Sequence, residues 1–205
     1  GGLLSEYEPK IAVRNYSASE VVAARRGLIS DETVHDGYLD EYSCVNGQQH
    51  FLTSSNNYPD LEGMKANLFQ NFVPLAMRLM NPDAITAYVH PENLYLDAKG
   101  DKIRQMIYPR LLLHAQFRNE LKLFDIGNTR VFSLNVYGQI KDHVKFKNIS
   151  TLFHPCTLEQ SLSMSDSSAP IPLEKTNDGH WNLCGHCDRV VDISNDELAL
   201  FAKFI

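Results

Sequence analysis

Three of the four cysteines, Cys156, Cys184 and Cys187, fall in the last quarter of a 205-residue chain, interleaved with His154, His180 and His186. In Cys184-Gly-His-Cys187 two thiols stand two residues apart, with a glycine that lets the turn between them close. Deprotonated, such a pair reaches one tetrahedral Zn²⁺ at ~2.3 Å per sulfur, and a closed site then needs two more ligands. His154-Pro-Cys156 lies upstream and offers them. The expected ligand set is therefore Cys156, Cys184, Cys187 and His154, with His180 or His186 able to take the imidazole position instead. No glutamate flanks either pair to serve as a base, so the ion is expected to hold structure rather than to react. A staple suits this stretch: residues 152–192 carry few large apolar side chains, and so small a segment does not close on burial alone.

A hairpin turning at Asn177-Asp178-Gly179 is expected between the two ligand pairs. Ligand pairs joined in this way resemble a zinc ribbon over about residues 152–192, although His-x-Cys is tighter than the usual first pair. The resemblance implies a C-terminal zinc-ribbon-like annex. A second zinc pattern, the His-x-Glu and Cys-x-x-Cys of nucleobase deaminases, would take His90 and Glu92 with Cys184 and Cys187. The proline that precedes the first cysteine of that pattern is missing and about ninety residues intervene, so deamination is not expected.

Pro82-Asp83 followed by Asp97-Ala98-Lys99 matches a Mg²⁺ nuclease pattern, two carboxylates for a hard cation and a lysine for the attacked phosphate. The three would meet if Asp83 opened one strand and Asp97 and Lys99 closed the next. The plainer reading is a helix stop at Asn81-Pro82-Asp83 and a turn at Lys99-Gly100-Asp101. Within Ile140–Lys147, alternation puts Lys141, His143, Lys145 and Lys147 on one face, where they could follow a nucleic-acid backbone or simply charge an edge strand. Residues 124–130, Phe-Asp-Ile-Gly-Asn-Thr-Arg, resemble the first phosphate loop of the actin and sugar-kinase superfamily, but strands rather than an α/β domain follow, so a turn is expected. Cys44 and His50 would face each other across a hairpin with no third group to orient them.

The elements that must position these residues are mostly short strands. A strand is expected over residues 10–16, and a capping box at Ser17–Glu20 opens a helix to about Leu28. Asn46-Gly47 between two alternating runs predicts a hairpin over residues 42–52. Leu61, Met64, Leu68, Phe69, Phe72, Leu75 and Leu79 recur at helical spacing, interrupted by Pro74, and read as a core-facing stripe. Strands follow at 84–89, 94–98, 103–108, 111–117, 121–124, 131–137 and 140–147, then an exposed loop at 161–172. A second capping box, Ser194–Glu197, starts a short helix ending at Phe204-Ile205.

Composition is that of an ordinary globular chain, with 43% hydrophobic and 21% charged residues. The net charge of −6 is unevenly spread: residues 1–98 hold six Lys/Arg against thirteen Asp/Glu, residues 99–147 ten against four, and residues 148–205 three against eight. A basic middle between acidic ends argues against indiscriminate nucleic-acid binding and permits a local basic face. No apolar run approaches the ~20 residues of a membrane span, so no membrane partner is expected. Four cysteines, three of them clustered and Cys44 alone, point to metal and to a reducing intracellular compartment.

The fold class expected is α+β: a strand-dominated antiparallel sheet or partly rolled barrel, with a few helices, over residues 1–150, and a zinc-stapled annex over 151–205. The function expected is non-enzymatic, a structural or interaction subunit with protein partners in a larger assembly. The alternative is a nuclease or nucleic-acid-binding protein using Asp83, Asp97 and Lys99.

Overall fold

The computed structural model describes residues 2–65, 67–166 and 168–203. Two compact units divide the chain, Gly1–Asn57 and Tyr58–Ile205. Residue 150 lies inside a strand of the second unit, so the sheet draws on both sides of the expected domain boundary.

The first unit is helical: α1 (Leu3–Tyr7), α2 (Lys10–Val13), α3 (Ala18–Leu28) and α4 (Glu32–Thr53). The Ser17–Glu20 capping box forms, the Glu20 carboxylate accepting from the Ser17 backbone N–H at 2.8 Å. The strand expected over 10–16 is replaced by α2, and the hairpin over 42–52 by the second half of α4. Asp31 caps α4, accepting from the N–H groups of Thr33 and Val34. Apolar and aromatic residues then recur at Val34, Tyr38, Tyr42 and Val45, a helical period, with Tyr38 stacked on Tyr42 at 6.1 Å. A continuous helix of 22 residues outweighs the ~1 kcal/mol that each of its two interior glycines, Gly37 and Gly47, costs, and Asn46 turns its amide back to the Tyr42 carbonyl.

The second unit is α+β. After α5 (Leu68–Leu79) come β1 (Thr86–Pro91), α6 (Asn93–Leu96), α7 (Asp101–Ile107), β2 (Leu111–Arg118), β3 (Val131–Tyr137), β4 (Lys145–Leu152), α8 (Pro155–Ser163), β5 (Val191–Ser194) and α9 (Asn195–Phe201). The strands form one five-stranded sheet in the order β1-β3-β2-β4-β5. It is open, so the rolled-barrel alternative does not hold, and the β2–β4 pair is parallel, so the sheet is mixed. The strands expected at 94–98 and 103–108 are α6 and α7: Ile103 and Ile107, four residues apart, are both fully buried. Residues 119–121 form a single 3-10 turn in place of a strand. β4 starts at Lys145, five residues later than expected, and carries a bulge between Ile149 and Leu152 where Thr151 takes φ 58. The second capping box forms at Ser194–Glu197, while Phe204-Ile205 lies outside the described residues.

Strand periodicity sends alternate residues to two dissimilar faces. One carries Ala115, Phe117, Phe132, Ile149 and Leu152, packed with Leu158 of α8. The other carries Tyr137, Leu111, Phe146 and Ile193, packed with Val73, Leu94, Ile103 and Ile107 from α5, α6 and α7. Only part of the apolar stripe on α5 takes part in that core. Val73 is fully buried, but Leu68, Phe72 and Leu79 are 57, 49 and 74% exposed.

Candidate functional site

Between the apolar residues of the helix-covered sheet face runs a band of polar side chains that the strand register aligns. His90 of β1 pairs with Ser133 of β3, Gln116 of β2 with the same serine, and His114 with Asn135. Asn148 of β4 stands beside His114 in the parallel pair. Residues opposite one another share a face, so His90, Ser133, Asn135, Tyr137, His114, Gln116 and Asn148 converge. Glu92, one residue beyond β1, folds over them and is buried.

The hydrogen bonds assign both imidazoles. His114 places Nε2 3.1 Å from Glu92 Oε1 and Nδ1 2.7 Å from Asn148 Oδ1. Both partner atoms are oxygens, so each ring nitrogen of His114 is committed to a neighbour inside the band. His90 differs. Its Nδ1 donates to the Pro91 carbonyl at 2.9 Å, while its Nε2 accepts from the Asn135 amide at 2.9 Å, which makes it the neutral tautomer. Burial pushes the His90 imidazole below its usual range, and the cationic His114 pushes the same way. Its ring is stacked between Phe69 and Tyr95, at 5.6 and 5.9 Å.

Burial alone would raise the Glu92 carboxyl. The hydrogen bond and charge of His114, with further hydrogen bonds from Ser133 and Gln116, outweigh it and hold the group below the ordinary carboxylate range. The Gln116 amide donates to the second carboxylate oxygen at 3.2 Å. Tyr95 donates to Asn135 Oδ1 at 2.6 Å and lies 3.0 Å from the Tyr137 hydroxyl. Burial pushes both phenols up, so they act only as neutral hydroxyls. A charged pair at the centre is thus enclosed by amides and hydroxyls whose hydrogen bonds interlock, as burial of charge requires.

The Cys and His residues singled out by spacing lie on the other side of β4 in sequence, around α8. His154 is the N-cap of α8, its Nδ1 accepting from the Cys156 N–H at 3.2 Å. The turn 183–188 docks on α8 through Thr157 to the Leu183 carbonyl at 2.8 Å, the Gly185 N–H to Gln160 Oε1 at 2.8 Å, and the His186 N–H to Ser161 Oγ at 3.0 Å. A Cβ at Gly185 would sit 2.6 Å from the Ser161 nitrogen, so the approach needs glycine. Among the described residues, the metal-capable group with ligand atoms all within 4.8 Å of one another is His186, Cys187 and Asp188. His186 Nε2 donates to the Ala169 carbonyl at 2.8 Å, leaving Nδ1 facing the Cys187 sulfur at 3.9 Å. Cys184 is exposed on the same turn, and Cys156 sits 3.8 Å from the Leu183 carbonyl. His180 is exposed on the hairpin, which turns at Gly179 as expected and brings Lys175 over the Trp181 ring.

The remaining candidates form no metal-capable group of three among the described residues. Asp83 is exposed before β1, Lys99 is exposed, and the Asp97 carboxylate accepts from the Lys99 backbone N–H at 2.9 Å. Lys141 and His143 precede β4, the Lys141 ammonium donates to the Lys145 carbonyl, and Lys147 pairs with Asp192 at 3.6 Å. The stripe is therefore two strand residues and two loop residues, one of them already paired. Among the described residues no helix is long and apolar enough to cross a membrane. The polar band escaped sequence reading because its members span residues 90–148 and meet only through the strand order. The one local signal was His90-Pro-Glu92, whose partners are His114 and Asn135 rather than the cysteines. Comparison with known proteins finds no family that the chain matches and no curated protein that it matches.

Proposed function

We propose that the protein is a non-enzymatic interaction module whose C-terminal segment is stapled by a Zn²⁺ ion on the Cys184–Asp188 turn. The observation that carries this reading is the orientation of His186. A metal-ligating histidine characteristically donates its second ring N–H to a carbonyl or carboxylate, which fixes the tautomer. His186 does this toward Ala169 and presents Nδ1 to the Cys187 sulfur and the Asp188 carboxylate. Nδ1 now accepts from the Asp188 N–H at 3.1 Å, and a cation would take over that lone pair. With its other ring N–H anchored on the Ala169 carbonyl, His186 fills the imidazole role in place of His154. Cys184, at the two-residue spacing, or Cys156, on the helix that receives the turn, is the thiol available as the fourth ligand beside His186, Cys187 and Asp188.

The interaction role rests on α5. Leu68, Phe72, Leu75 and Leu79 lie at helical spacing and are all at least 36% exposed, although the same helix buries Val73 and Pro74. A contiguous apolar stripe on a surface helix is the mark of a docking face. A module of this kind would bring protein partners together within an assembly. Zinc analysis of protein purified without chelator tests the staple: about one Zn²⁺ per chain supports it, and Cys187→Ser and His186→Ala should each abolish retention. Full retention by both variants would refute this ligand set.

A further inference from the structure

Beside the charged pair, the helix-covered face of the sheet opens into a cavity of about 210 Å³. Tyr95, Tyr108, Phe146 and Leu198 form much of its wall, and His114 and Asn148 form its polar end. We propose that this cavity binds a small planar aromatic carboxylate, its ring among the aromatic walls and its carboxylate on Asn148.

Size sets the upper limit. A cavity of ~150 Å³ accepts benzene, so this one takes a substituted single ring or a small fused pair. Shape favours a flat body. The Tyr108 ring is nearly parallel to Phe146 at 6.0 Å and 15°, and to Tyr95 at 6.2 Å and 13°, so the walls offer aligned ring faces for offset stacking.

Charge selects the acceptor. Asn148 spends its Oδ1 on the His114 ring, which leaves Nδ2 as the remaining polar atom of the amide. Among the described residues, neither Asn148 Nδ2 nor the Tyr108 hydroxyl has a protein hydrogen-bond partner, and both residues line the cavity. The chain from Glu92 through His114 to Asn148 polarises that amide, strengthening its N–H groups as donors. A cavity with two free donors is complementary to an anionic acceptor, while both His114 nitrogens are already committed. The ligand is therefore bound and not chemically transformed by the histidine. This site is independent of the metal staple proposed above, since none of its lining residues belongs to the Cys184–Asp188 turn.

The test is titration of the full chain with sodium benzoate, followed by NMR at the side chains of His114 and Asn148 and by calorimetry. Benzyl alcohol and cyclohexanecarboxylate serve as the uncharged and non-planar controls. Saturable benzoate binding near or below about 1 mM is expected, as so few heavy atoms allow, with both controls at least tenfold weaker. Asn148→Asp keeps an acceptor for His114 but replaces the amide donors with negative charge, and should weaken benzoate at least tenfold. Leu198→Trp fills the cavity from α9 without touching the charged pair, and should abolish binding. No saturation by benzoate or by the larger 1-naphthoate up to 10 mM overturns the proposal. So does benzoate binding that both variants leave unchanged, or that either control equals.

Discussion

Glu92 lies just beyond the end of β1 and His114 lies within β2, with β3 running between those strands, yet their side chains meet at 3.1 Å. The contact spans the sheet beneath α5, α6 and α7, and it joins a carboxylate and an imidazole ring that are 6 and 12% exposed. Breaking one half of such a pair leaves the other half charged and poorly solvated. Glu92→Gln and His114→Gln should therefore each cost about 3 kcal/mol or more of unfolding free energy. The double variant should lose clearly less than the two together. Chemical denaturation of the four proteins as a double-mutant cycle measures it, and simple additivity would mean the pair is not coupled.

The same face makes stability acid-sensitive through two groups with one sign. Glu92 is held below its ordinary 4.5 in the folded chain. Its contribution is full above the unfolded value and is lost as pH falls through the folded one. His90 is held below its ordinary 6.5, so the unfolded chain takes up this proton first and stability starts to fall below pH 6.5. His90→Gln should flatten the stability profile between pH 6.5 and 5, and Glu92→Gln should flatten it below pH 4.5. A wild-type profile that is level between pH 6.5 and 5 would contradict the His90 assignment, and one that stays level well below pH 4.5 would contradict the Glu92 assignment.

Three strand positions were legible, because β1, β2 and β3 announce themselves by alternation and by the turns at their ends, whereas the strands expected at 10–16, 94–98, 103–108 and 121–124 do not form. The helices α4 and α7 were not. Asn46-Gly47 carries a strong local turn preference, but the chain on either side of it is capped and patterned as one helix. At Ile103 and Ile107 a short run rich in apolar residues fits either period, and burial of both isoleucines on one side decides for helix. The polar band had no local pattern at all. The candidate metal ligands stand together in the sequence, whereas the backbone bonds that set His154 and His186 apart are not displayed there.

The division of α5 into buried and outward-facing residues is open to direct measurement. Val73→Ala should cost ~1–2.5 kcal/mol, since it removes two fully buried methyl groups. Phe72→Glu and Leu79→Glu should stay within ~0.5 kcal/mol of wild type, the range of surface substitutions. If both charged variants unfold the chain, the stripe is core and the docking reading of α5 falls.

Asn119, fully buried after β2, organises the loop that leads to β3. Its amide donates to the carbonyls of Phe124 and Ile126 at 3.0 Å, and its Oδ1 accepts from the Phe124 N–H at 3.0 Å. Asn119→Leu leaves these backbone groups without partners and should destabilise by about 2–4 kcal/mol. Amide exchange at Phe124 should accelerate in step with that loss. A change below ~0.5 kcal/mol would show that water replaces the side chain without cost.

The module reading also predicts that DNA and RNA survive incubation with the protein and Mg²⁺, because Asp83 is exposed and the Asp97 carboxylate serves the Lys99 turn. Cleavage that disappears in both Asp83→Asn and Asp97→Asn would restore the nuclease alternative.

The central claim is a Zn²⁺ staple on the turn that Gly185 allows to dock on α8, and metal stoichiometry tests it most directly. Elemental analysis of chelator-free protein should give about one zinc per chain, falling to background in His186→Ala and in Cys187→Ser. Wild-type protein with less than about 0.2 zinc per chain, unable to take up added Zn²⁺ at a stoichiometry of about one, would contradict the account.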